Sequence, residues 1–235
     1  MTKVAVTFLL DETGSMMSIK NDTIGGFNQY LSTLKAMDGE VSFSLLKFDS
    51  NRVEKVCIGK PVAEVAELTS ETYTPGALTP LYDAAVKAIK ATEPSAAGAK
   101  VIVVIQTDGQ ENASREYKRA DLADLIKEKT AAGWEFVFLG AGIDAYGEAQ
   151  SLGINVANTM SYDRHNSGQT FRAMASNTVA YAAGLSASMG FSSEQKLDAG
   201  DVYQPAATAI AVAVAPAQAQ KPRRRTIVDD ISLAS

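Results

Sequence analysis

Val4-Ala-Val-Thr-Phe-Leu-Leu-Asp11-Glu-Thr13-Gly-Ser15-Met16 is an apolar run that stops abruptly in a carboxylate, two hydroxyls and a glycine, then enters a helical pattern. That order predicts a buried strand with polar groups at its carboxyl end, where open α/β sheets bind their ligands. Asp11, Thr13 and Ser15 alternate along the turn, so one carboxylate and two hydroxyls converge on one point, while Gly14 removes the side chain that would crowd it. Oxygen donors of this kind suit a hard cation, Mg²⁺ or, less stringently, Mn²⁺ or Ca²⁺. Taken alone, the same turn also reads as a helix cap in which Ser15 or Thr13 accepts amide protons and nothing is bound.

Two further segments bear on that choice. Val101-Ile-Val-Val-Ile-Gln-Thr-Asp108-Gly109 is a second β-branched run ending in an aspartate, and Pro75-Gly-Ala-Leu-Thr79-Pro80 brings a third hydroxyl to the start of a helix. Asp11-x-Thr13-x-Ser15, Thr79 and Thr107-Asp108-Gly109, in this order and separation, resemble the metal-ion-dependent adhesion site of von Willebrand factor A domains. Thr13 stands where the family usually has its first serine. The phrases Thr23-Ile-Gly-Gly-Phe-Asn28, Asp108-Gly-Gln-Glu-Asn-Ala-Ser114 and Gly133-Trp-Glu-Phe-Val-Phe-Leu-Gly140 resemble small stand-alone bacterial and phage members. The resemblance implies metal ligands Asp11, Thr13, Ser15, Thr79 and Asp108, the hydroxyls ligating directly and the aspartates directly or through water. It also implies a partner protein that offers an Asp or Glu carboxylate to the ion.

Working outward, Ile19, Ile24, Phe27, Leu31 and Leu34 lie on one face of an amphipathic helix that ends near Asp38-Gly39. Val41–Phe48 and Val53–Ile58 read as a hairpin around the turn 49–52, with Asp49 as a turn carboxylate. Helices are expected over 81–90, 114–132, 145–152 and 169–189, and strands over 134–139 and 154–157. Strands alternating with helices predict a doubly wound α/β domain: a mostly parallel central sheet, helices on both faces and one antiparallel edge strand. Asp83 is read as a helix-dipole residue. Glu111 and Asn112 are read as rim residues that contact a partner or start a helix, and His165 as a turn or cap residue. The domain is expected over residues 1–189. Residues 190–235 read as an Ala/Pro/Gln-rich linker, a basic cluster at 221–225 and a terminal peptide carrying Asp229 and Asp230.

Composition narrows the function. The 235 residues carry a formal charge of −5 and are 46% hydrophobic, and the pI is near 5.0. That balance argues against a chain dominated by nucleic-acid binding, because phosphate contacts need clustered positive charge. The apolar N-terminal run is short and lacks a small-residue cleavage site, so it reads as a strand rather than a signal peptide. No other apolar run approaches the roughly 20 residues needed to span a bilayer. A single Cys57 excludes an internal disulfide and fits a reducing, cytoplasmic setting. The expectation is therefore a non-enzymatic protein-binding module. A metal-dependent hydrolase or phosphatase-like enzyme using Asp11 stands as the alternative, as does self-association through residues 221–235.

Overall fold

The structure, a computed structural model, describes residues 2–201. Six strands form one sheet: β1 (Lys3–Asp11), β2 (Glu40–Phe48), β3 (Val53–Pro61), β4 (Lys100–Thr107), β5 (Glu135–Ala141) and β6 (Thr159–Tyr162), in the order β3-β2-β1-β4-β5-β6. All pairs are parallel except β2 with β3, which closes one edge as an antiparallel hairpin. The helices are α1 (Lys20–Lys35), α2 (Leu81–Thr92), α3 (Arg119–Ala131), α4 (Ala145–Ser151), α5 (Ser167–Ala182) and α6 (Ser193–Asp198).

Side chains alternate across the sheet and divide the core in two. Val4, Val6, Phe8 and Leu10 of β1 pack with α1 and α5, through Phe27, Tyr30, Leu31, Phe171 and Met174. Ala5 and Leu9 face the other way, onto α2, α3 and α4, through Leu81, Ala85, Ile89, Leu122, Ile126 and Ala149. A strand covered on both faces has no polar side, which is why β1 and β4 read as near-continuous apolar runs. Because β1 runs between β2 and β4, the connections leave it in opposite directions, and the carboxyl ends of β1 and β4 flank the topological switch point.

Three elements differ from the expectation. The helix expected from residue 114 begins at Arg119, because the Asp83 carboxylate takes the amide protons of Arg115, Glu116 and Tyr117 and holds them in a loop. Asp83 is thus a clamp between α2 and that loop, beyond any dipole role. The last strand is Thr159–Tyr162 instead of 154–157: Asn155 accepts a hydrogen bond from Ala157 N at 2.9 Å and winds Val156–Asn158 into a tight turn before extension resumes. Helix α5 stops at Ala182, ahead of Gly184 (φ 75°), whose left-handed conformation ends it.

The fold also continues past Met189. Residues 190–201, read from sequence as linker, include α6 and bury Phe191 and Ala199. Asp201 accepts hydrogen bonds from Tyr146 Oη at 2.5 Å and Ser161 N at 3.1 Å. The basic cluster and terminal peptide, residues 221–235, lie outside the described residues. Among the described residues no helix is long and apolar enough to cross a membrane.

Candidate metal centre

The strand register builds the centre. Leu10 pairs with Gln106 across the β1–β4 ladder, which brings Asp11 abreast of Thr107 and leaves Asp108 one residue beyond. Both aspartates are buried, Asp11 fully and Asp108 to 3% exposure. Asp11 is held at both oxygens: Thr13 N donates to Oδ1 at 2.7 Å and Thr107 Oγ1 to Oδ2 at 2.5 Å. Tyr73 Oη donates to the Asp11 carbonyl at 2.6 Å, fixing the backbone where β1 ends. Thr13 Oγ1 lies 3.3 Å from Ser15 Oγ, which in turn donates to Asp108 Oδ1 at 2.5 Å.

Thr79 arrives from the loop before α2. Its backbone is pinned on both sides by Asn112, whose side-chain oxygen accepts Thr79 N at 2.9 Å and whose N–H donates to Thr79 O at 3.0 Å. Gly109 locates the convergence: a Cβ built there would lie 3.0 Å from Thr79 Oγ1 and 3.5 Å from Ser15 Oγ. Any side chain at 109 would therefore crowd the pocket that these two hydroxyls share. The five expected ligand residues thus come from three loops to one place. Gly14 N donates to Ala77 O at 3.1 Å and Gly76 N to Glu12 O at 2.8 Å, so the first loop and the Thr79 loop are laced together.

Glu111 and Asn112 are engaged within the domain. Glu111 accepts from Ala113 N, Ser114 N, Ser114 Oγ and Tyr82 N, at 2.7 to 3.0 Å. They shape the site by holding the loop and Thr79, and Asn112 is also exposed at its edge. Glu12, next to Asp11, points away as expected and is buried against Lys47 Nζ at 3.1 Å and Thr74 N at 2.7 Å. His165 sits in a turn, its N–H donating to Asp163 Oδ1 at 2.8 Å.

Arg164 was missed. Its guanidinium reaches Asp108 Oδ2 at 3.3 Å. The signal available in sequence was its place at the carboxyl end of a strand; with the last strand expected at 154–157, Arg164 fell in an anonymous turn.

The electrostatics follow from burial. Desolvation pushes the Asp11 carboxyl up to about 6, against hydrogen bonds from Thr107 and Thr13 and with help from the Asp108 charge. Burial likewise raises Asp108, opposed by Ser15 and Arg164. Two carboxylates this close and this dry favour either a proton or a cation. Among the described residues no group of three or more His, Cys, Asp or Glu is placed to hold a metal, so an ion here depends on the hydroxyls.

Comparison of the sequence with protein-family models and with curated proteins finds no match. Solved structures share the fold. Proximal thread matrix protein 1 from the mussel byssus aligns at 14% identity and TM-score 0.58, over 74% of this chain and 45% of that one. Another structure of the mussel protein, with a zinc-occupied MIDAS motif, aligns at 12% identity and TM-score 0.54, over 77% of this chain and 48% of that one. A von Willebrand factor type A structure from Catenulispora acidiphila gives 14% identity and TM-score 0.53, over 76% and 43%. The pilus adhesin SpaC from Lactobacillus rhamnosus GG gives 12% and 0.58, over 76% and 30%. The chain spans less than half the length of each of these proteins, and at such identities the likeness concerns the fold.

Proposed function

We propose that this chain, which has the von Willebrand factor A fold, is a protein-binding module that works through a divalent cation. Asp11, Thr13, Ser15, Thr79 and Asp108 would hold a Mg²⁺-type ion, with Mn²⁺ or Ca²⁺ as substitutes. Such an ion, held by two carboxylates and three neutral hydroxyls, supplies Lewis acidity toward an Asp or Glu carboxylate of a partner protein. The observation that carries the reading is the meeting of those oxygens at the switch point, beside a glycine whose missing side chain leaves room between Thr79 and Ser15. The zinc-occupied motif of the mussel protein supports a divalent metal at this place in the fold.

The chain's own residues prepare that site. Thr107 and Thr13 N orient the two Asp11 oxygens, Ser15 orients Asp108, and Asn112 sets the height of Thr79. Positioning of this kind lowers the ordering cost of binding an ion. Hydrolysis would require, in addition, a general base beside an activated water. The nearby carboxylates are committed elsewhere: Glu12 to Lys47 and Thr74, Glu111 to Ser114 and Tyr82. A binding role therefore suits the residues better than an enzymatic one. The lone Cys57 fits a reducing, cytoplasmic setting.

Thermal unfolding with and without Mg²⁺ or Mn²⁺ tests the reading. An ion at 100 times its dissociation constant stabilises the folded state by about 2.7 kcal/mol. Wild type should gain this increment and retain a metal-dependent protein partner that chelation releases. Ser15→Ala and Asp108→Ala should lose both while keeping the far-ultraviolet circular dichroism of wild type. Equal metal-induced stabilisation in all three proteins rejects the proposed ligand set.

A further inference from the structure

Arg164 is a charge placed on the metal centre by several independent contacts. It follows β6, in the turn Arg164–Asn166, and one guanidinium nitrogen lies 3.3 Å from Asp108 Oδ2. The other donates to Ser18 Oγ at 2.8 Å, in the turn that follows Ser15. Its stem crosses Gly142 (φ +66°), where a Cβ would lie 3.1 Å from Arg164 Nε. The turn itself is tied down by Asp163, which accepts His165 N, and by Ser167 Oγ, which donates to Arg164 O at 3.1 Å. A side chain 40% exposed that nonetheless meets a buried carboxylate, a hydroxyl and a glycine on three separate segments is held in one orientation.

The nearby ion network is separate: Glu12 pairs with Lys47 at 3.1 Å, Glu54 lies 3.2 Å from Lys47, and Arg52 is 3.8 Å from Glu12 and 2.9 Å from Glu54. The centre holds the two carboxylates Asp11 and Asp108 and one guanidinium, which meets Asp108, leaving one net negative charge. A divalent ion then turns the site net positive. Without Arg164 the same ion would leave the site neutral.

We propose that Arg164 is the specificity-determining residue of this centre: by keeping a positive charge on Asp108 it weakens the hold on the divalent ion and leaves the loaded site electropositive, so that it selects an anionic ligand. This rests on the metal-binding reading above. The guanidinium touches the carboxylate of a ligand residue and acts through it.

The full chain and its Arg164→Gln and Arg164→Lys variants are titrated with Mn²⁺ at low and high salt, following the free-ion paramagnetic resonance signal. The loaded proteins are then probed with acetate, whose methyl protons relax faster when it occupies a Mn²⁺ site. Arg164→Gln should bind Mn²⁺ about tenfold more tightly at low salt, with the gain shrinking at high salt. Its acetate relaxation effect should fall about severalfold, while Arg164→Lys, which keeps the charge but not the fork that spans Asp108 and Ser18, should lie between wild type and Arg164→Gln in both measurements. Unchanged or weaker Mn²⁺ binding in Arg164→Gln overturns the inference, as does equal behaviour of the Gln and Lys variants, which would mark a merely structural contact. A wild-type chain that binds no Mn²⁺ overturns the metal-binding reading itself, and this inference with it.

Discussion

Gly25 and Gly26 are neighbours in α1 with opposite surroundings, and replacing each by alanine separates helix propensity from core packing. Gly25 is exposed, and a Cβ built there meets nothing within 4 Å. Gly26 is buried, and a Cβ there would come 2.2 Å from Phe171 Cδ2, 2.7 Å from Cε2 and 2.8 Å from Cγ. The ring cannot step aside easily: Phe171 is fully buried and stacks on Phe8 with centroids 6.1 Å apart and planes 10° from parallel. Phe8 is in turn wedged edge-on against Phe27 at 5.3 Å. Moving Phe171 therefore disturbs the contact between α1, α5 and the centre of the sheet.

The magnitudes oppose each other at Gly26. Alanine gains about 1 kcal/mol over glycine in a helix interior, whereas overpacking a dense core costs about 1–3 kcal/mol. With an overlap this deep against a ring stacked in the core, the upper end applies, and Gly26→Ala should destabilise by about 2 kcal/mol net. Gly25→Ala has only the gain and should stabilise by about 0.5–1 kcal/mol. For a domain of this size those values correspond to a melting temperature lowered by about 4–8 °C and raised by about 1–4 °C, respectively. Urea unfolding followed by circular dichroism measures both, with an unchanged slope confirming that the change lies in stability. Phe171→Leu in the Gly26→Ala background should recover part of the loss, a coupling that a double-mutant cycle reads directly. A Gly26→Ala protein as stable as Gly25→Ala would refute the packing argument.

Asp83→Ala removes the acceptor for the amides of Arg115, Glu116 and Tyr117 and should cost about 3 kcal/mol in urea unfolding at pH 7. Burial alone would raise the Asp83 carboxyl, but those amide bonds and Lys87 bring it below its usual range. Its contribution is therefore complete above the ordinary aspartate value and is lost as pH falls through the lower folded-state value, so the gap between wild type and Asp83→Asn should close in acid and not in base. Asn112→Ala removes the side-chain acceptor of Thr79 N, keeps the backbone bond to Thr79 O and deletes no proposed ligand; Mn²⁺ affinity should fall by about tenfold with stability changed by about 1 kcal/mol, and unaltered affinity would remove the Asn112 side chain from the site's support.

The two strand ends of the candidate centre were legible because their signals are local, whereas the full set of expected oxygens, Thr79 included, was reached only through the family resemblance. A β-branched run that ends in Asp11 or Asp108 declares a strand terminus, and the 11-13-15 spacing declares a shared turn. What stayed hidden depended on partners far along the chain. Asp83 looked like a helix-start acid, and only the fold brings residues 115–117 under it, melting the first turn expected of α3. Glu111 and Asn112 looked like rim residues, and only the fold sets them against Tyr82 and Thr79. Arg164 was concealed by the displaced last strand, since a short polar stretch such as Thr159–Tyr162 carries almost no periodicity of its own.

By itself, then, the sequence determined the alternation of strands and helices and the two-sided burial of the sheet. These are properties of runs and spacings, governed by hydrophobic periodicity and turn chemistry within a few residues. Tertiary structure alone decided the sheet order that sets β1 beside β4, the register that lays Asp11 against Thr107, and the placement of Arg164 on Asp108. Those relations join residues 56 to 96 positions apart, where no local preference reaches and packing of the two cores against the sheet makes the choice.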